Sequence, residues 1–345
     1  MFFFISRNQS TQMNQRVVSG NKKVEDNYYK VSKKIKVDKN TYQQKVNGEN
    51  YIIKYTDDGF RVTKPNGEVK TFDYNQRCAT LTEDQLDDMK DFFEEQNALI
   101  LADLSAEAAS FRYYDGFGLD GYYEFNTETI NADEDIFLHE LGHAIDFHNN
   151  TRDRVDLFCG NKDYIKAFET EYKTYLKEVE RTRNREMFLD GGINANTEMF
   201  AECAALIMSG GEFDRNRAVI EKYFPQTLAL TRKYLDEAHK KSQNVRNPFT
   251  SKSIKLPDGK VECLLLNNKG QKVKKSLFDP KKWPACVDEY QAKFNSKGQI
   301  VEEVISFPNK FTDSVGKYTH RKIEPNTGKV ISETTKKGFL EPKRL

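Results

Sequence analysis

Residues 135–150 read DIFLHELGHAIDFHNN and hold three of the chain's five histidines. His139 and His143 are four apart, so on a helix both imidazoles share one face and converge on a single cation. Two imidazoles suit zinc, and a catalytic zinc takes a third protein ligand while keeping one position open for water. Glu140 follows His139 directly and stands beside that water rather than on the metal, the place of a general base. His148 lies five beyond His143. On a continuing helix it points about 140° away from it, and is read as a bystander.

A third ligand must then come from elsewhere. In NANTEMFAECAALIMSG, residues 194–210, Glu198 and Glu202 are four apart on a helix that is otherwise nearly all apolar. Carboxylates on so apolar a helix need partners. A metal for Glu198 and the second ring nitrogen of a ligand histidine for Glu202 would satisfy both. The other reading is an exposed acidic stripe on an amphipathic helix. Asp146, one turn past His143, fits equally a carboxylate behind the ligands and a surface or helix-end acid.

The elements that must position these residues follow from periodicity and turn residues. Residues 1–25 are polar and without period, and read as a tail. From 26 to 79, YYKVSKKIKV, ENYIIKYT, FRVTK and EVKTFDY are separated by Asn47-Gly48, Asp58-Gly59 and Asn66-Gly67, the dipeptides of tight hairpins. This predicts an antiparallel meander, either separate or part of the core. One helix is predicted over TLTEDQLDDMKDFFEEQNALIL, with Thr82 and Gln85 as a capping box. FRYYDGFGLDGYYEFNTETI reads as strand, turn, strand. Helices are predicted at 133–149, about 162–187, 197–209, 214–223 and 226–242. After Asn247-Pro248, NNKGQKVKKSLFDPKKW from 267 aligns with NSKGQIVEEVISFPNKF from 295, and PNTGKVI from 325 starts a weaker third copy. These repeats predict a stacked β-hairpin array over 246–345.

Bulk composition narrows the function classes. Lys+Arg 54 against Asp+Glu 53 leaves no basic excess that would argue for nucleic-acid binding. The five cysteines (Cys78, Cys159, Cys203, Cys263 and Cys286) are scattered and odd in number, which argues against a disulfide framework or a cysteine zinc site. No membrane span is visible, and MFFFI is too short for a signal-peptide core. A cytoplasmic location, or export by a route that needs no such signal, is the expectation.

HELGHAID followed by NTEMFAE resembles the zincin peptidases that take a downstream glutamate as ligand, above all the anthrax lethal factor-like (ATLF-like) family. YFPQTLALTRKYL, from Tyr223, resembles that family's Pro-x-Thr segment entering its last helix. The likeness spans roughly residues 80–240. It implies an α+β fold with a zincin-like metallopeptidase core at 80–245, mostly helical with a small sheet. The β meander and the β repeats flank that core. It also implies one Zn2+ per chain on His139, His143 and Glu198, with Glu202 supporting from behind, and secretion as a family trait. The expected function is zinc-dependent endopeptidase action on a protein or peptide substrate, through a zinc-activated water with Glu140 as general base. Residues 121–130 are the expected substrate-pairing strand, to be probed at Phe125 and Asn126. The chain departs from the family at Gly191, where the family carries a tyrosine thought to steady the oxyanion. Either Tyr113, Tyr114, Tyr122, Tyr123 or Tyr223 does that work, or the stabilisation is weaker. Two alternatives stand beside this reading: a non-catalytic binding or adhesion protein working through its β repeats, and a zinc amidase acting on cell-wall peptides.

Overall fold

The computed structural model describes residues 22–78, 81–108, 110–113, 121–124, 129–148, 158–182, 195–213, 216–241, 249–267, 269–279, 289–308 and 315–340. A short helix, α1 (Lys22–Glu25), precedes five antiparallel strands in sequence order: β1 (Ile35–Asp38), β2 (Thr41–Val46), β3 (Glu49–Thr56), β4 (Gly59–Thr63) and β5 (Val69–Asp73). Asn47 (φ 53°) and Gly48 (φ 85°) both take the left-handed conformation that a two-residue hairpin of this twist requires. In β3, Tyr51, Ile53 and Tyr55 are buried while their neighbours are exposed, the alternation of a half-buried strand.

That buried face meets the helices α2 (Tyr74–Arg77), α3 (Glu83–Glu95) and α4 (Ala98–Glu107). Phe60 stacks on Phe72 at 5.2 Å, and Phe93 of α3 meets the edge of Phe72 at 5.7 Å. The meander's inner residues therefore belong to the same buried cluster as the helices that follow. Even Val24, within the expected tail, is buried, and Tyr28 and Tyr29 anchor the segment behind it. The capping box at Thr82 and Gln85 forms as expected.

The single helix expected from 82 onward is two. Asn97 breaks it, its side chain accepting the N–H groups of Leu99 and Ile100 at the head of α4 and donating to Met208 O at 2.8 Å. Strands β6 (Ser110–Tyr113), β7 (Gly121–Glu124) and β8 (Thr129–Ala132) form a sheet of order β6-β8-β7. β8 runs parallel to β6 and antiparallel to β7, so the expected strand–turn–strand is in fact a three-stranded mixed sheet.

α5 (Phe137–His148) packs against that sheet, and in chain order a 3-10 turn at Phe158–Gly160, α6 (Lys162–Thr182), α7 (Ala195–Met208), α8 (Arg217–Tyr223) and α9 (Pro225–Lys241) follow. α7 lies against both α5 and α9 and is buried along nearly its whole length.

The C-terminal part is one antiparallel sheet of seven strands in sequence order: β9 (Phe249–Lys255), β10 (Val261–Asn267), β11 (Lys272–Phe278), β12 (Tyr290–Phe294), β13 (Ile300–Pro308), β14 (Val315–Ile323) and β15 (Val330–Leu340). The sequence repeat shows in its turns. Asn267 donates to Gln271 Oε1 at 2.9 Å and Asn295 to Gln299 Oε1 at 3.0 Å. Gly270 and Gly298 take the same left-handed φ, 72° and 77°. The molecule is thus of the mixed α+β class, and no helix among the described residues is long and apolar enough to cross a membrane.

Candidate metal centre

The centre is built on the contact between α5 and α7. Asp133 starts α5 by accepting the N–H groups of Asp135 and Ile136 at 3.0 and 3.2 Å. Phe137, Leu141, Ala144 and Ile145 then bury one side of the helix. At Gly142 the two helices touch backbone to backbone, since a Cβ there would lie 2.9 Å from both Cα and O of Ala201. No larger residue fits at this crossing without parting α5 from α7.

The close approach sets the side chains of His139 and His143, one turn apart on α5, against Glu198 in the first turn of α7. His139 Nε2 lies 3.1 Å from Glu198 Oε2, His143 Nε2 lies 3.5 Å from it, and the two Nε2 atoms are 3.0 Å apart. A tetrahedral ion with bonds of about 2.0–2.1 Å has ligand–ligand edges of about 3.3 Å. The triangle drawn by these three atoms is close to one face of such a tetrahedron. Two imidazoles with one carboxylate are a donor set that zinc accepts. Glu198 keeps 37 % of its side chain exposed while His139 keeps 7 %, so the cluster is closed behind and open on the glutamate side.

Behind the triangle, Glu202 Oε1 lies 3.1 Å from His139 Nδ1, on a residue with no solvent exposure. Burial disfavours the charged form of His139, yet the carboxylates of Glu198 and Glu202, with Glu140 nearby, outweigh it and raise its pKa to about 10. Burial likewise opposes the charge on Glu198, but hydrogen bonds from the two histidines hold its carboxyl well below the usual carboxylate range. The pocket draws positive charge. Glu140 is almost fully buried, one residue on from His139 along α5.

Asp146 is buried too, and burial raises its carboxyl to about 6. It accepts the N–H of Cys159 at 3.2 Å, tying the 3-10 turn to α5. From that turn, Cys159 O accepts from Asn196 Nδ2 at 2.9 Å, and Cys159 Sγ lies 3.5 Å from Thr197 Oγ1. Asp146, Cys159, Asn196 and Thr197 thus form a clip from α5 to the first turn of α7, just before Glu198. Sequence reading misses this clip, as it misses the role of Gly142. The small residues Ala201, Ala204 and Ala205 of α7 are the signal that a close helix crossing lay ahead.

The remaining sequence candidates are placed less directly. His148 ends α5, and its side chain lies outside the described residues, as do those of Tyr113 and Tyr122. Tyr114, Phe125, Asn126 and Gly191 fall wholly outside them. Tyr123 is buried with its ring 6.1 Å from Phe147, and Tyr223 packs on Tyr175 while its hydroxyl accepts from Lys222 at 2.5 Å. Comparison of the chain with protein-family models, with curated proteins and with solved structures finds no match.

Proposed function

We propose that the chain is a zinc-dependent endopeptidase with a zincin-type core, similar in its site motifs to the lethal factor-like peptidases. One observation carries the reading: the Nε2 atoms of His139 and His143 and Oε2 of Glu198 stand 3.0–3.5 Å apart, with the almost fully buried Glu140 adjoining His139. Zinc, if held by His139, His143 and Glu198, would supply Lewis acidity and make a water at the site more acidic. Glu140 takes a proton from the attacking water and hands it to the departing amine nitrogen, so the peptide bond breaks without free acid or base. Glu202, with Oε1 3.1 Å from His139 Nδ1, is the carboxylate placed to hold a proton on that ring nitrogen and so leave Nε2 free for a cation. The open flank at Glu198 is where substrate enters. Of the stretch 121–130 expected to pair with substrate, residues 129 and 130 belong to the central strand β8, so the pairing falls to β7, an edge of the mixed sheet among the described residues and packed against α5.

The test is Glu140→Gln beside the wild type, assayed on an unfolded protein substrate. Zinc content and unfolding midpoint stay unchanged, while hydrolysis falls at least about 100-fold. Equal hydrolysis by the two proteins excludes Glu140 as the base and the mechanism with it.

A further inference from the structure

Among the described residues, β15 has a neighbour on one side only. At the far end of the same sheet β9 lies against α2 and β6, and Arg112 of β6 reaches Cys263 Sγ on β10 at 3.3 Å. β15 has no comparable cover among the described residues, and every residue from Val330 to Gly338 is exposed. Along such an edge the N–H and C=O of every second residue point outward, ready to pair with another strand.

The charges on this edge say which strand. The straight part of the β14–β15 ladder runs from Ser332 to Lys337, bounded by register shifts on both sides. Within it Glu333, Thr335 and Lys337 share one face. Glu333 ends a row of alternating charge: Arg321 lies 3.2 Å from Glu303 on β13 and 2.6 Å from Glu333. Four residues further along, Lys337 stands opposite Lys317, like charge against like. The Lys317 ammonium rests over the Phe307 ring, 5.0 Å from its centroid. A two-fold axis through Thr335 places Glu333 opposite the Lys337 of a second copy, and Lys337 opposite its Glu333. Thr335 then meets Thr335, and Thr334 meets Lys336. The row whose charges within one chain are Lys337 and Lys317 gains an acid from the other.

We propose that β15 pairs antiparallel with β15 of a second copy of this chain about a two-fold axis at Thr335, joining two seven-stranded sheets into one. The contact is self-complementary: the same five residues, Glu333–Lys337, serve on both sides. It is independent of the metal centre, since no residue of α5 or α7 takes part.

Sedimentation velocity of the full chain over a concentration series tests it. Lys337→Glu puts acid against acid at both ends of the contact, yet gives Lys317 an opposite charge within its own sheet, so the fold is kept. Glu333→Lys puts base against base. Each variant alone raises the dimer Kd at least about ten-fold. An equimolar mixture of the two restores the dimer, because every acid then faces a base. A wild type that stays monomeric at all concentrations overturns the proposal and leaves the edge to a strand of another protein. Variants that dimerise as tightly as wild type, or a mixture no tighter than its parts, place the contact elsewhere and overturn it as well.

Discussion

Single side chains decide whether the triangle binds metal, and the one with the least freedom is Glu202. It has no solvent exposure, and its carboxylate faces His139 Nδ1 at 3.1 Å. Glu202→Gln keeps the shape but removes the charge that stands beside His139 Nδ1. Zinc affinity is expected to fall about 10- to 100-fold, with the unfolding midpoint in excess zinc little changed; competition with a chromophoric chelator measures it. An unaltered affinity would make Glu202 a packing residue. These residues were legible because their chemistry is rare in their surroundings. Two histidines at helical spacing enclose an acid, and two acids interrupt an apolar run. Asp146 was legible only as an acid with two fates, since its partner, the N–H of Cys159, belongs to a turn with no sequence signature.

At the scale of elements, the site depends on how closely α5 and α7 cross. Gly142→Ala forces a methyl group to within 2.9 Å of Ala201 backbone atoms, which cannot swing aside as a side chain would. Stability is expected to drop by about 1–3 kcal/mol in denaturant unfolding, and zinc occupancy to fall although no ligand has changed. Full occupancy in that variant would show that the ligands reach the ion without the close crossing. The hairpins of the meander were readable from Asn-Gly and Asp-Gly, because a tight turn is a local demand on φ. The break at Asn97 was not. It rests on partners distant in sequence: Gln44 accepting the N–H of Ala98 at 2.7 Å, and the carbonyl of Met208. The order β6-β8-β7 was equally hidden, since alternation marks a strand without naming its neighbour.

Over the whole molecule, the flanking β parts stand in different relations to the helical core. The meander supplies Ile53, Phe60, Val62 and Phe72 to the main buried cluster, whereas Val261 and Cys263 of the C-terminal sheet form a small cluster of their own. A chain ending at 245 is therefore expected to keep zinc binding and cooperative unfolding, while one lacking 26–79 loses soluble expression. Loss of zinc on the C-terminal truncation would show that the repeats hold the core together. The repeat itself was plain in the sequence because the copies from 267 and 295 rebuild the same Asn–Gly–Gln turn.

The claim on which the functional account rests is that His139, His143 and Glu198 hold one ion. Metal content by mass spectrometry, on wild type and Glu198→Ala purified side by side, addresses it directly. The account predicts one zinc per wild-type chain and less than about a tenth of that in the variant, whose carboxylate ligand is gone. Full zinc in Glu198→Ala, or none in the wild type, would contradict it.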